Sequence, residues 1–102
     1  MNDIADRHEK AIAMALMGQR VSGSGSQWHS KGDVITDTEL VECKATRSKS
    51  YSVGVDRWNK ITDEATTVGR EPVMAVRLAD VNRKPVDLIV ITLDRYMELT
   101  NR

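Results

Sequence analysis

Two acidic residues and a lysine lie close together in this sequence and could form a metal-dependent hydrolytic site. Asp33 precedes the apolar pair Val34-Ile35, and Glu42 and Lys44 follow a second apolar pair, Leu40-Val41, and are separated from each other by one residue. Side chains alternate between the faces of a strand, so Glu42 and Lys44 would share one face, and a hairpin turn could bring Asp33 opposite Glu42. Two carboxylates that close repel each other unless a cation lies between them. Their oxygen atoms select Mg²⁺, with Mn²⁺ as a substitute.

The chemistry that this set predicts is hydrolysis of a phosphodiester bond. The backbone carbonyl of Cys43 could add a third ligand to the metal, while its thiol points to the opposite face and is expected to be buried and inert. Lys44 could position an attacking water, favour its deprotonation or neutralise charge on a phosphate. Taken alone, the Asp and Glu-x-Lys triplet is a weak pattern, because the same residues also occur where side chains form salt bridges along a protein surface. Its place inside apolar strands favours the functional interpretation.

The elements that must position these residues are helices and strands in alternation. Apolar spacing and chain breakers predict the following elements: a helix over 3–17, a short strand over 19–21, strands over 31–36 and 39–45 joined by a tight turn, a helix from an N-cap at Ser52 to Gly69, strands over 73–79 and 86–93, and a helix over 94–101. This order predicts a single α/β domain over residues 1–102, with a mixed sheet flanked by helices.

Glu9, on the first predicted helix, has two interpretations. It shares a stripe at helical spacing with Ala5, Ile12 and Leu16. A carboxylate on that stripe would be drawn towards the interior, where it needs a cation or a proton. In the other interpretation the stripe is centred nearer His8, and Glu9 lies at a solvated edge.

Basic and hydroxyl side chains flank the acidic residues. A Gly/Ser run over residues 22–26 is either a flexible link or a loop that presents N–H groups and hydroxyls to an anion. After the Glu-x-Lys strand, Arg47, Lys49 and Ser50 could hold DNA phosphates, although an ordinary solvated loop has the same composition. Arg57, on the second helix, is expected to be solvated, and Trp58 is expected to lie in the core.

The composition is that of an ordinary globular domain. Hydrophobic residues make up 40% of the chain, charged residues 29%, and the formal net charge is zero. Phe is absent, and a core this lean often leaves a surface for a second copy, so a homodimer is expected. The single cysteine, the lack of a signal-peptide pattern and the lack of an apolar run near ~20 residues predict a cytoplasmic protein with no membrane partner.

Three segments carry a family resemblance: residues 20–26 (Arg-Val-Ser-Gly-Ser-Gly-Ser), 31–34 (Lys-Gly-Asp-Val) and 40–46 (Leu-Val-Glu-Cys-Lys-Ala-Thr). In this order they resemble archaeal-type Holliday junction resolvases and their small phage-encoded relatives, which belong to the PD-(D/E)XK nuclease superfamily. The resemblance covers roughly residues 9–78. It implies a restriction-endonuclease-like α-β-β-β-α-β core, here followed by a C-terminal strand and a short helix. It also implies Mg²⁺-dependent, structure-selective cleavage of DNA, with branched DNA as the expected substrate.

The resemblance also implies a role for each site residue. Glu9 would be a helix-borne carboxylate of the metal site, Asp33 and Glu42 the central metal ligands, and Lys44 the catalytic lysine. Gly32 stands where the family motif has proline.

Groups that contact the active site or a DNA phosphate are implied by the same resemblance. They are Arg20 and one serine of the Gly/Ser run, either Ser24 or Ser26. The alternative function is a non-catalytic DNA-binding or assembly module that retains the nuclease fold. A third possibility is a small structural protein in which the acidic triplet is incidental and binds no divalent metal.

Overall fold

The structure is a computed structural model that describes residues 3–21 and 33–102. Its elements, in chain order, are α1 (Asp3–Leu16), β1 (Gln19–Arg20), β2 (Val34–Ile35), β3 (Glu39–Thr46), α2 (Val55–Thr67), β4 (Glu71–Leu78), β5 (Val86–Val90) and α3 (Leu93–Thr100). The strands form one five-stranded sheet in the order β1-β2-β3-β4-β5, in which β3 and β4 are parallel and the other pairs antiparallel. The predicted α/β architecture with a mixed sheet is therefore confirmed. None of the helices described is long and apolar enough to cross a membrane.

The two faces of the sheet pack against different helices. Val41 of β3 belongs to a buried cluster with Ile12 of α1, whereas its neighbour Leu40 belongs to a cluster with Ile61 of α2. The same alternation continues on β4, since successive side chains of a strand point to opposite faces. In β3 and β4 the odd-numbered residues thus point to the α1 face and the even-numbered residues to the α2 face.

The second helix connects the parallel strands β3 and β4, as a parallel pair requires. Its N-cap is Gly54, with no side-chain hydrogen bond, so the prediction of Ser52 as the cap is wrong. Its end is as predicted: Gly69 has φ 68, a left-handed conformation that favours glycine, and the Arg70 N–H donates to the Ala65 carbonyl at 2.8 Å. The helix therefore ends at Thr67, and its C-cap Val68 directly precedes the glycine that the sequence indicated.

Several predicted boundaries shift by a few residues. The first helix ends at Leu16, one residue early, and the strand predicted over 31–36 is described from residue 33, with β2 limited to Val34–Ile35. The last strand ends at Val90, where the apolar pattern had predicted residue 93. The reason is local: the Thr92 hydroxyl accepts the N–H of Arg95 at 3.1 Å and begins α3.

The last strand and the last helix are the least covered part of the structure. Four of the five residues of β5 are exposed, and α3 has no buried residue. We call their exposed large apolar side chains the C-terminal apolar surface: Val86, Leu88, Ile89, Leu93, Tyr96, Met97 and Leu99. Leu88 pairs with Val76 and Ile89 with Ala75, so these side chains lie on both faces of the sheet at its β5 edge, and a monomer of this chain leaves them in water.

Candidate active site

Asp33 is held between β1 and β3 by three hydrogen bonds. Its N–H donates to the Val41 carbonyl at 2.8 Å, and its own carbonyl accepts the N–H of Val21 at 2.9 Å. Its side-chain Oδ2 accepts the N–H of Cys43 at 2.8 Å. Both the backbone and the carboxylate of Asp33 are therefore fixed against the strand that carries the other predicted site residues.

Asp33 lies just before the paired part of the hairpin and close to Glu42. Val34 of β2 opposes Val41 of β3, and the Asp33 N–H donates to the same Val41 carbonyl, so the regular pairing stops at Val34. The Asp33 carboxylate lies at the edge of β3, where it accepts the Cys43 N–H, and the Glu42 carboxylate is close enough to add to the effect of burial in raising its pKa. The structure thus brings together the two acids that the sequence pattern had paired.

Glu42 is a buried carboxylate between two cations. It is 8% exposed, and its Oε2 lies 3.3 Å from Lys44 Nζ and 3.6 Å from Arg57 Nη1. A buried carboxylate without a counter-charge would be strongly unfavourable, and these two cations supply it. Lys44 keeps about a third of its side chain exposed (35%), so its ammonium group borders solvent.

Arg57 was not identified by the sequence analysis, which expected it to be solvated. It lies in the first turn of α2, and its guanidinium reaches the same Glu42 oxygen as Lys44. A signal for this position was available. Arg57, Ile61 and Ala65 are spaced four residues apart, so Arg57 continues the buried stripe of the helix towards its N-terminus.

The electrostatics of the site favour binding of a cation. The pKa of Asp33 is raised to about 6, chiefly by burial and also by the nearby carboxylates of Glu42 and Glu9, while the Cys43 N–H and Lys44 act to lower it. At neutral pH the ionised Asp33 carboxylate therefore lacks a nearby positive charge that fully compensates for its burial. A divalent cation would relieve that deficit, so the donor set fits a hard metal ion.

The number of protein ligands is small. Within residues 3–21 and 33–102, no group of three or more His, Cys, Asp or Glu side chains is close enough to hold a metal ion. Mg²⁺ is commonly held by one or two carboxylates, with waters and substrate phosphates completing its shell. Asp33 and Glu42 would hold such an ion. The Cys43 N–H faces Asp33, and the carbonyl of a strand residue points to the same edge as its N–H. The Cys43 carbonyl is therefore also directed towards Asp33.

Glu9 reaches the site from the other side of the sheet. It lies on α1, which packs on the α1 face, and its carboxylate Oε1 accepts a hydrogen bond from Arg20 Nη2 at 3.0 Å. Arg20 also donates to Asp6 Oδ1 at 2.9 Å and lowers the pKa of that carboxyl. His8 is buried and the Glu9 side chain is 26% exposed, so the buried stripe of α1 is centred nearer His8, and Glu9 lies at its edge, where it pairs with Arg20. The structure does not join it with Asp33 and Glu42 in one ligand group, and Asp6 was not identified from the sequence.

Two buried titratable side chains lie on the α1 face. Cys43 is buried, as predicted, and this burial raises the pKa of its thiol to about 12. His8 is 1% exposed, and burial lowers its pKa. Its Nε2 lies 3.6 Å from Asp87 Oδ1, and Asp87 is held in turn by Arg77 at 2.8 Å. Neither side chain belongs to the carboxylate site.

The predicted phosphate-binding residues are described in part. Arg47, Lys49 and Ser50 are exposed and directly follow β3, so they lie at the same end of the strand as Lys44. Ser24 and Ser26 lie outside the described residues. The role of each of these side chains in DNA binding stays a prediction.

Comparison with known proteins adds no assignment. No protein-family model and no curated protein sequence matches this chain. The resemblance to junction resolvases therefore stays a prediction based on the motifs within residues 20–46. The function has to be inferred from the chemistry of the site.

Proposed function

We propose that this chain is a Mg²⁺-dependent endonuclease of the PD-(D/E)XK type that hydrolyses phosphodiester bonds in DNA. The observation that carries the proposal is the proximity of two acids: the Asp33 carboxylate accepts the Cys43 N–H at 2.8 Å, and the neighbouring Glu42 carboxylate, 3.3 Å from Lys44 Nζ, adds to the effect of burial in raising the pKa of Asp33. Two acids in a partly desolvated place, one of them with a pKa raised to about 6, make a cation site. A lysine at its border suits an anionic substrate.

The residues of the site divide the work of hydrolysis. When bound, Mg²⁺ would polarise the phosphate and lower the pKa of a water molecule. Asp33 and Glu42 would hold the ion, and the hydrogen bond from the Cys43 N–H would keep Asp33 in its orientation. Lys44 would orient the attacking water and neutralise charge that develops on the phosphate.

The order of elements supports the same proposal. From α1 to β4 the chain runs α-β-β-β-α-β, which is compatible with a restriction-endonuclease-like core, and β5 and α3 follow as the predicted C-terminal additions. The proposed site lies where β2 and β3 meet. A metal-dependent nuclease accounts for the fold, the buried acids and the lysine together.

The test is cleavage of a DNA panel that contains a four-way junction, a flap, a nicked duplex, a linear duplex and a single strand. We expect cleavage with Mg²⁺ or Mn²⁺ and complete loss of cleavage with EDTA, with a branched substrate cut fastest. Tight binding without cleavage of any substrate would favour the non-catalytic DNA-binding module. Absence of cleavage, DNA binding and Mg²⁺ binding would favour an incidental triplet in a structural protein.

A second copy of the chain is the partner that we propose for the C-terminal apolar surface. The outer edge of β5 has no strand neighbour among the described residues. Antiparallel pairing of this edge with the same edge of a second copy, about a two-fold axis, would satisfy its backbone groups. The same pairing would bring the exposed side chains of β5 and α3 towards one another and remove them from water.

Leu88→Arg is expected to shift the protein from dimer to monomer, because a charge would be placed in the centre of the apolar contact. Leu88 is 43% exposed and lies in the middle of β5. Light scattering after size exclusion measures the mass of each species. Met14→Arg is the matched control, since Met14 is 81% exposed on α1 and away from this surface. A native protein that is monomeric at high concentration would contradict the proposal.

A further inference from the structure

We propose a second phosphate-binding site at the carboxyl ends of β3 and β4, which would hold the DNA backbone beyond the cleavage site. It is an open hollow of about 460 Å³ between the segment after β3 and the β4–β5 turn. Arg47 and Lys49 line one side, and Arg83 and Lys84 line the other. The inference rests on the proposed function, which supplies the identity of the polyanion. Arg83 and Lys84 are new to this function.

The charge of the hollow is strongly positive. Its four cations face a single carboxylate, Asp80, so the lining residues carry three net positive charges. Across the described chain, none of these four cations forms an ion pair, although many other Arg and Lys side chains do. Cations that are concentrated around a concave surface and left without counter-charges suit a phosphate backbone.

The β4–β5 turn gives the new pair of cations a defined position. The Asp80 side chain Oδ1 accepts the N–H of Asn82 at 2.9 Å, and the Asp80 carbonyl accepts the N–H of Arg83 at 3.3 Å. An Asp side chain that binds the backbone two residues later stabilises such a turn. The single acid of the hollow is thereby engaged in holding the turn, and Arg83 and Lys84 extend from it.

The hollow lies on the same face of the sheet as the proposed cleavage site. Thr46 of β3 pairs with Leu78 of β4, and Leu78 pairs with Val86 of β5. Thr46 follows Lys44 by two residues on β3, so these paired positions point to the α2 face, as Lys44 does. Leu78 and Val86 line the hollow. One DNA strand could therefore lie over both sites without crossing the edge of the sheet.

The spacing suits neighbouring phosphates of one strand. Arg47 follows Lys44 by three residues, and at a rise of ~3.3 Å per residue their backbones are separated by roughly 10 Å. Consecutive phosphates of one strand are separated by more than the ~3.4 Å rise per base pair, because the backbone winds around the helix axis, so this distance suits phosphates of neighbouring nucleotides. The hollow would thus position the strand near the scissile phosphate and contribute binding energy that does not depend on sequence.

The double variant Arg83→Ala/Lys84→Ala tests the site through the salt dependence of binding. Binding of a fluorescein-labelled duplex to the full chain is measured by anisotropy in EDTA, which prevents cleavage, over a series of NaCl concentrations. Each lost phosphate contact lowers the slope of log K against log salt by ~0.9, so we expect the slope to decrease by about 1.8. Affinity at low salt should fall at least roughly tenfold, which is ~1.4 kcal/mol.

Two further variants separate charge from structure. Arg83→Lys/Lys84→Arg keeps both charges and should retain the native slope. Lys10→Ala/Arg102→Ala removes the same residue types from other parts of the surface and should also retain it. An unchanged slope for Arg83→Ala/Lys84→Ala, in a preparation that still cleaves DNA with Mg²⁺, would overturn this site and leave the proposed function intact. A native protein that neither binds nor cleaves DNA would overturn both.

The phosphate chemistry of the hollow also has to be assigned to DNA and not to a free anion. Inorganic phosphate, added at constant ionic strength, should leave duplex binding by the native protein unchanged, because the hollow is open and engages a chain of phosphates. Selective displacement of the duplex by phosphate, lost in Arg83→Ala/Lys84→Ala, would identify a free-phosphate site and overturn the assignment to the DNA backbone.

Discussion

Glu42→Gln is expected to lower the rate of Mg²⁺-dependent DNA cleavage by roughly 10³-fold, since loss of one preorganised charge at a reacting centre typically costs ~10²–10³ and a metal ligand is lost as well. Glutamine preserves the shape of the side chain but not its negative charge. Lys44 and Arg57, which contact Glu42 Oε2, are about 35% and 43% exposed, so both can be hydrated after the change. The fold should therefore survive while the cation site fails.

Two measurements make this prediction specific to the metal. Single-turnover cleavage gives the rate of the reaction, and calorimetric titration gives the affinity for Mg²⁺. Glu42→Gln should lower both the cleavage rate and the Mg²⁺ affinity. Lys44→Ala should lower the cleavage rate but keep Mg²⁺ binding, because Lys44 acts on the water and the phosphate. Glu71→Gln, an exposed change on β4, is the matched control. Native cleavage by Glu42→Gln would refute the assignment of the active site.

The core of the site could be predicted from sequence because it depends on local geometry. Alternation along one strand fixes the common face of Glu42 and Lys44, and a short hairpin brings Asp33 to the edge of that strand, where its carboxylate accepts the Cys43 N–H. Arg57 and Asp6 were missed because their contacts arise from the docking of a helix. Such contacts depend on the angle at which the helix packs, and local spacing gives only a candidate face.

The fold shows the same division between local and tertiary information. The mixed sheet and its helices follow from apolar periodicity and from breakers such as Gly69. The end of β5 was wrong because the apolar run continues to Leu93, while the Thr92 hydroxyl starts a helix within that run. The cap at Gly54 was missed because Ser52 has the better capping side chain but does not lie at the helix start. In both cases two local signals competed, and the sequence alone did not indicate which of them the chain follows.

Asp33→Asn is expected to stabilise the metal-free protein at pH 7 while it abolishes cleavage. The native pKa of Asp33 is about 6, against 3.8 as its ordinary value, so ionisation at neutral pH is costly in the folded state. A shift of about two units corresponds to ~3 kcal/mol at most, and partial exposure to solvent reduces this to about 1–2 kcal/mol. The asparagine carbonyl can still accept the Cys43 N–H, so the local structure should persist.

The sign of the pH dependence distinguishes this cause from a simple packing effect. Between pH about 4 and about 6, the folded state keeps the Asp33 proton that the unfolded state has lost, so this residue makes stability fall as the pH rises and then level off above about 6. Paired carboxyls such as Asp87 act in the opposite direction, and their effects cancel when native and variant proteins are compared.

Urea unfolding without metal measures the free energy of unfolding of both proteins. The difference between them should be near zero at pH 4 and should grow to about 1–2 kcal/mol in favour of Asp33→Asn at pH 7. Saturating Mg²⁺ should stabilise only the native protein and reduce the difference, because the ion binds the ionised folded state. A difference that does not change with pH, or that Mg²⁺ leaves unaltered, would show that Asp33 is not the buried charge of a cation site.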